Sequence, residues 1–262
     1  MIQLSFGLGA IEAEFWRLAF AMTRIGAAML LAPLFGGVAV PVQARVIASG
    51  AVAVLVCAWL PPAAPPPLLS VQGILAVAGE VLVGLSLGFV LQIAFAAPVI
   101  AAEVIGGAMG MGMASAVDPS SGAQSPALGQ FFSIVLTLIF LALGGHLQWL
   151  ALVVESYRTL PPGMVLAGFD ASRIAAIAAF AATMFTAAVA MALPVTLILL
   201  IVQVITGVLS RSAPALNLFA LGLPAGVLAG FAALIAAMPV LTDQMADLCA
   251  EALTVAAAVI AA

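Results

Sequence analysis

Nearly uncharged apolar runs recur along this chain, each long enough to cross a hydrocarbon core of ~30 Å as a helix. They predict helices over roughly 12–34, 42–60, 71–107, 127–153, 174–209 and 214–238, with a tail helix over 241–262. A backbone in lipid must satisfy its own N–H and C=O groups, which leaves helices and closed barrels as spanning structures. Barrel strands alternate apolar and polar residues, and these alanine-rich runs do not. The expected fold is all-α: a polytopic integral membrane protein of about six long apolar helices, some broken, forming a single domain over 1–262.

Composition removes several function classes. Charged residues make up only 6% of the chain, against about a quarter in soluble domains. All six cations are arginines, at positions 17, 24, 45, 158, 173 and 211, so no basic tract exists to hold nucleic acid. They fall on both sides of any alternating topology and give no orientation. The net charge of −4 is spread out, apart from Asp243, Asp247 and Glu251, which read as a solvated helix face. Cys57 and Cys249 are far apart in sequence and form neither a disulfide framework nor a metal motif. Glu12 and Glu14 precede the first arginine, unlike the positive start of a cleaved signal peptide, so the first apolar segment is expected to be retained.

Proline and glycine mark the breaks. Pro33, Gly36, Gly37 and Pro41 separate the first two helices, and the Pro61 to Pro67 cluster forms a stiff connector. Pro98 interrupts the third apolar stretch, and Pro194 breaks or kinks the overlong one. From Gly106 the chain reads GGAMGMGMASAVDPSSGAQSPALGQF, whose glycines, Asp118-Pro119 and Ser120-Ser121-Gly122 predict a non-helical plug loop over 106–124.

Few residues could carry chemistry. The serines include no G-x-S-x-G elbow, and H-E-x-x-H, P-loop and dinucleotide fingerprints are missing, so no enzyme, cofactor or metal is expected. His146, in GGHLQW, has no carboxylate or cysteine partner nearby and reads as a packing residue. Glu80 and Glu103 are the most unusual, because an ionised carboxylate at membrane depth costs on the order of 3 kcal/mol or more unless paired or hydrated. A structural pair with another group ranks first; a hydrated surface position and a proton or ion relay remain open. Met109, Met111 and Met113 alternate with Gly110 and Gly112, and a flexible thioether can close an irregular gap and reopen. Such methionines are either packing filler or an adaptable constriction. The spacings Gly84 to Gly88, Gly106 to Gly110, and Gly222, Gly226, Gly230 allow backbones to approach closely, within the chain or against other subunits.

Three separated motifs resemble the FliR family of flagellar type III export proteins. The first runs from Glu80-Val-Leu-Val-Gly to Phe89 and on to Glu103-Val-Ile-Gly-Gly; the second is Asp118-Pro119 followed by Pro126-Ala-Leu-Gly-Gln-Phe131. The third is Arg211 to Pro224, with Asn217 before F-x-x-G-x-P, and Arg24, Pro33, Phe35, Pro41 and Arg45 also fit. The resemblance covers most of the chain. It implies a non-enzymatic subunit of the flagellar export gate in the bacterial inner membrane and flagellar basal body. Implied partners are FliP and FliQ, with FlhB and FlhA further out, and the cargo is unfolded flagellar protein. It also implies a plug at Gly106, Gly107, Met109, Gly110, Met111, Gly112, Met113, Asp118 and Pro119. Glu80, Glu103, Gln130, Arg211 and Asn217 become candidates for subunit interfaces or buried polar contacts. The injectisome homologue is the nearest alternative, and a secondary transporter using Glu80 and Glu103 is the alternative from a different class. No second copy of the Glu80 to Glu103 arrangement exists, which weakens the transporter.

Overall fold

The fold is taken from a computed structural model, which describes residues 9–37, 40–60, 66, 70–111, 127–163, 170–212 and 218–261. The helices are α1 (Gly9–Leu31), α2 (Pro33–Gly36), α3 (Val42–Trp59), α4 (Val71–Ala108), α5 (Ala127–Ala142), α6 (Gly145–Thr159), α7 (Ala171–Ser212) and α8 (Leu218–Ile260). Among the described residues there is no strand. Among the described residues four stretches are long and apolar enough to cross a membrane: α3, α4, α7 and Pro224–Ile260 of α8. The pair α5 and α6, bent by 69°, would make a fifth. The protein is an all-α, multi-pass membrane protein with slightly fewer spans than the apolar runs suggested.

Local chemistry explains the helix ends. Ala32, which precedes Pro33, is extended at φ −66°, ψ 126°, and this separates α1 from α2. The Oγ of Ser70 accepts the N–H of Gly73 at 3.0 Å, capping α4. Asp170 caps α7, its Oδ1 accepting the Arg173 N–H at 3.3 Å and the Ser172 hydroxyl at 2.7 Å. These two hydrogen bonds, Ser172 first, hold its carboxyl below the usual carboxylate range.

Several expected boundaries move. The run over 127–153 is two helices, because Gly144 takes a left-handed conformation (φ 68°) open chiefly to glycine and turns the chain before α6. Conversely, Pro98 and Pro194 lie inside unbroken α4 and α7, and Pro239 lies inside α8, which joins the segments expected over 214–238 and 241–262. A proline removes one N–H donor, but an apolar environment offers the freed chain no better hydrogen-bonding alternative than to continue as helix. The loop expected from Gly106 begins later, since α4 continues through Ala108 and a turn through Met111.

Two compact units are distinguished along the chain. Unit 1 comprises Met1–Ile93, Gly144–Phe180 and Glu251–Ala262; unit 2 comprises Ala94–Leu143 and Ala181–Ala250. In unit 1, α1 packs on α3, where the Met22 methyl lies 3.7 Å from the position a Cβ would take at Gly50. In unit 2, α5 buries Leu128, Phe132, Leu136 and Phe140 at intervals of one helical turn. Phe140 meets Phe95 edge-on, with centroids 5.7 Å apart.

Candidate functional site

The centre of unit 1 is an arginine clamp. Arg24 on α1 and Glu80 on α4 are both fully buried. Close approach of the two helices is made possible by Gly84 and Gly88. A Cβ at Gly84 would collide with the Arg24 carbonyl oxygen, and one at Gly88 would lie 2.5 Å from the Ala28 carbonyl oxygen. These glycines bring the backbones close enough for a short, fixed ion pair.

All five guanidinium protons of Arg24 find acceptors. Nε donates to Glu80 Oε2 at 2.8 Å and Nη2 to Oε1 at 3.0 Å, a bidentate pair. Nη2 also donates to the Leu160 carbonyl at 2.9 Å. Nη1 donates to the Ser156 carbonyl at 2.6 Å and to Ser156 Oγ at 3.1 Å. Ser156 and Leu160 lie at the carboxyl end of α6, where free carbonyls and the helix dipole favour a cation. The Ser156 hydroxyl passes its own proton to the Val153 carbonyl, so its orientation fits that of an acceptor toward Arg24. Tyr157 lies under the guanidinium, 4.3 Å from ring centroid to Cζ, and donates to the Ala21 carbonyl at 2.6 Å. Trp149 of α6 donates to the Leu87 carbonyl of α4 at 3.1 Å and stacks on Phe35. One cation thus ties together α1, α4 and α6.

In unit 2, α4 ends in a Schellman motif. The Met111 N–H reaches the Gly106 carbonyl and the Gly110 N–H reaches the Gly107 carbonyl, both at 3.0 Å, with Gly110 at φ 82°. Gln203 of α7 caps the same end, its Nε2 donating to the Ala108 carbonyl at 2.8 Å. Met109 is buried against α8, where a Cβ at Gly230 would lie 2.5 Å from its Cγ, and Gly226 faces its carbonyl. Unit 2 also holds an apolar cavity of about 360 Å³, lined by Met111, Phe131, Phe132, Phe231 and Leu234 among others.

The sequence-predicted residues therefore separate. Glu80 is buried and paired within its own chain, whereas Glu103 is exposed on α4 without an ion pair or hydrogen bond to any described residue. Gln130 and Arg211 are exposed, and Gly222 is partly exposed. Gly106 and Gly107 are helical, with nothing within 4 Å of an added Cβ. Gly112, Met113, Asp118, Pro119 and Asn217 lie outside the described residues. Arg24, Ser156 and Tyr157 formed no part of the expected polar sites. The available signal was an arginine deep in one apolar run and a glutamate deep in another, since an unpaired charge of either sign is expensive there.

The sequence pattern of bacterial export proteins, family 1, matches residues 15–252, across both units. The chain belongs to this family. Its similarity to the flagellar biosynthetic protein FliR of Escherichia coli K12 is 30% identity over 246 residues, covering 93% of this chain and 91% of that one. With FliR of Bacillus subtilis it shares 33% over 221 residues, 83% and 84% of the two chains. The surface presentation of antigens protein SpaR of Shigella flexneri is 33% identical over 144 residues, 55% of each chain. The FliR resemblance drawn from the separated motifs thus extends nearly end to end, and the arginine clamp and the Met109 packing both lie within the matched export-family region.

Proposed function

We propose that this chain is the FliR subunit of a flagellar type III export gate. In this reading it lies in the bacterial inner membrane, assembles with FliP and FliQ, works beside FlhB and FlhA, and helps to pass unfolded flagellar proteins. Helix length carries the assembly part of the reading. α4, α7 and α8 have 38, 42 and 43 residues, or about 57, 63 and 65 Å at 1.5 Å per residue. A hydrocarbon core of ~30 Å crossed at a steep tilt of ~40° accommodates about 39 Å of helix. Yet large apolar side chains of α7 stay exposed from Ile174 to Leu209. Lipid alone cannot cover that length, which supports a reading in which other protein covers the rest.

The extent of the FliR similarity, against roughly half the chain for SpaR, favours the flagellar over the injectisome reading. The clamp argues against the transporter. Glu80 is held by two charge-assisted bonds to Arg24, leaving no free carboxylate there to exchange an ion. In the plug implied for 106–124, Met109 would serve as the packed anchor against α8.

Co-expression with the FliP and FliQ of the same bacterium, purification in mild detergent and native mass spectrometry test the proposal. The expected result is a stable hetero-oligomer, together with no solute uptake by liposomes holding this chain alone. A chain that stays free of both partners and drives proton-coupled uptake would refute it.

A further inference from the structure

Glu103 is an exposed carboxylate with no ion pair or hydrogen bond to a described residue. Unlike Asp243, Asp247 and Glu251, which cluster along α8, it stands alone among apolar residues. Arg17, Arg24, Arg158 and Arg173 each pair with a carboxylate, at Glu14, Glu80, Glu155 and Asp170. Arg45 donates to the Gly37 and Val40 carbonyls. At a net charge of −4 anions outnumber cations in the chain, and Arg211, the one uncommitted cation among the described residues, makes no ion pair with this carboxylate.

The surroundings of Glu103 fit neither lipid nor open water. It stands on an apolar helix beside exposed Val104, so lipid would meet an unpaired charge while water would wet the apolar neighbours. One turn on, Gly107 is exposed, and an added Cβ there would meet nothing within 4 Å. A glycine at this spacing opens a shallow notch next to the carboxylate, on the same helix face. A surface that joins an uncompensated anion to a close-approach notch is complementary to a helix bearing a cation.

We propose that the Glu103–Gly107 face of α4 docks a helix of a partner subunit that presents an arginine or lysine to Glu103. This rests on the reading of the chain as a gate subunit. The Gly107 notch lets the partner backbone come near enough for a short, dry ion pair. The contact also excludes water from Val104.

The test uses the co-expressed complex. Glu103→Gln keeps the shape and removes the charge, and should lower recovered hetero-oligomer at least about tenfold, while the isolated variant melts like the wild type. A photo-crosslinker in place of Val104 should capture a partner segment containing arginine or lysine, and changing that cation to glutamate should restore assembly to Glu103→Lys. Wild-type yield from Glu103→Gln, or crosslinking to lipid only, would overturn the docking proposal and leave the gate reading standing. A lowered melting temperature of the isolated Glu103→Gln chain would also overturn it, by showing that Glu103 acts within its own fold. Failure of the wild type to assemble would remove both readings together.

Discussion

Arg24→Met isolates the electrostatic content of the clamp, because methionine restores much of the apolar volume of the arginine stem and supplies no donor. The change leaves the Glu80 carboxylate fully buried without a counter-charge, and deprives the Ser156 and Leu160 carbonyls of a donor. Breaking a buried ion pair by removing one partner typically costs about 3–5 kcal/mol. Five hydrogen bonds at about 0.5–1.5 kcal/mol net give a similar range of about 2.5–7.5 kcal/mol. At about 2–4 °C per kcal/mol for a chain near this size, the apparent Tm in detergent should fall by about 6–20 °C. Heating aliquots and measuring the surviving monodisperse peak by size exclusion gives that Tm. Glu80→Leu should be comparably harmful, since it strands the guanidinium. The double variant Arg24→Met, Glu80→Leu removes both charges and should recover at least about 2 kcal/mol relative to the sum of the single losses. Additivity within about 0.5 kcal/mol would refute the clamp as a coupled unit.

The helical glycines should divide by their surroundings. Gly84→Val should destabilise unit 1 strongly, because its Cβ would collide with the Arg24 carbonyl, while Gly106→Ala should be neutral or stabilising by up to about 1 kcal/mol in the same melting assay. The cap of α7 should respond to acid. Asp170 has its carboxyl held low in the fold, so its contribution is present above the ordinary carboxylate range and is lost as pH falls through the lowered value. Amide hydrogen exchange of the first turn after Asp170 should speed up at low pH, and Asp170→Ala should remove that pH dependence; a pH-independent wild type would contradict the cap.

The all-α membrane architecture was legible because hydropathy and run length act locally, residue by residue. Helix ends were legible only where the deciding group was local too. Pro33 separates α1 from α2 through its immediate neighbour Ala32, whereas Pro98, Pro194 and Pro239 did not stop their helices; the Pro61 to Pro67 connector lies almost entirely outside the described residues. A proline in water ends a helix because water takes up the freed carbonyl; in an apolar setting that exchange is missing, so the same residue carries a weaker signal. The reverse error occurred at Gly144, whose single positive φ splits a run that hydropathy read as continuous. In the MGMGM segment the stop came from Gly110, which closes the Schellman motif, rather than from Gly106 and Gly107, whose cost of about 1 kcal/mol each a long helix tolerates.

The two glutamates show where local reading runs out. Glu80 and Glu103 lie in one apolar run, and sequence alone gave them the same rank; what separates them is Arg24, fifty-six positions before Glu80 and on another helix. One constraint was nonetheless available. An unbroken α-helix places residues twenty-three apart at about 35 Å along its axis and about 140° around it, so Glu80 and Glu103 could share an ion site only if the helix were interrupted between them. The expected break at Pro98 kept that possibility open, and the continuity of α4 closes it. The carboxylate that looked like half of a transport site is then an internal staple, and the other is left facing outward, unpaired among the described residues, which is the position the docking proposal starts from.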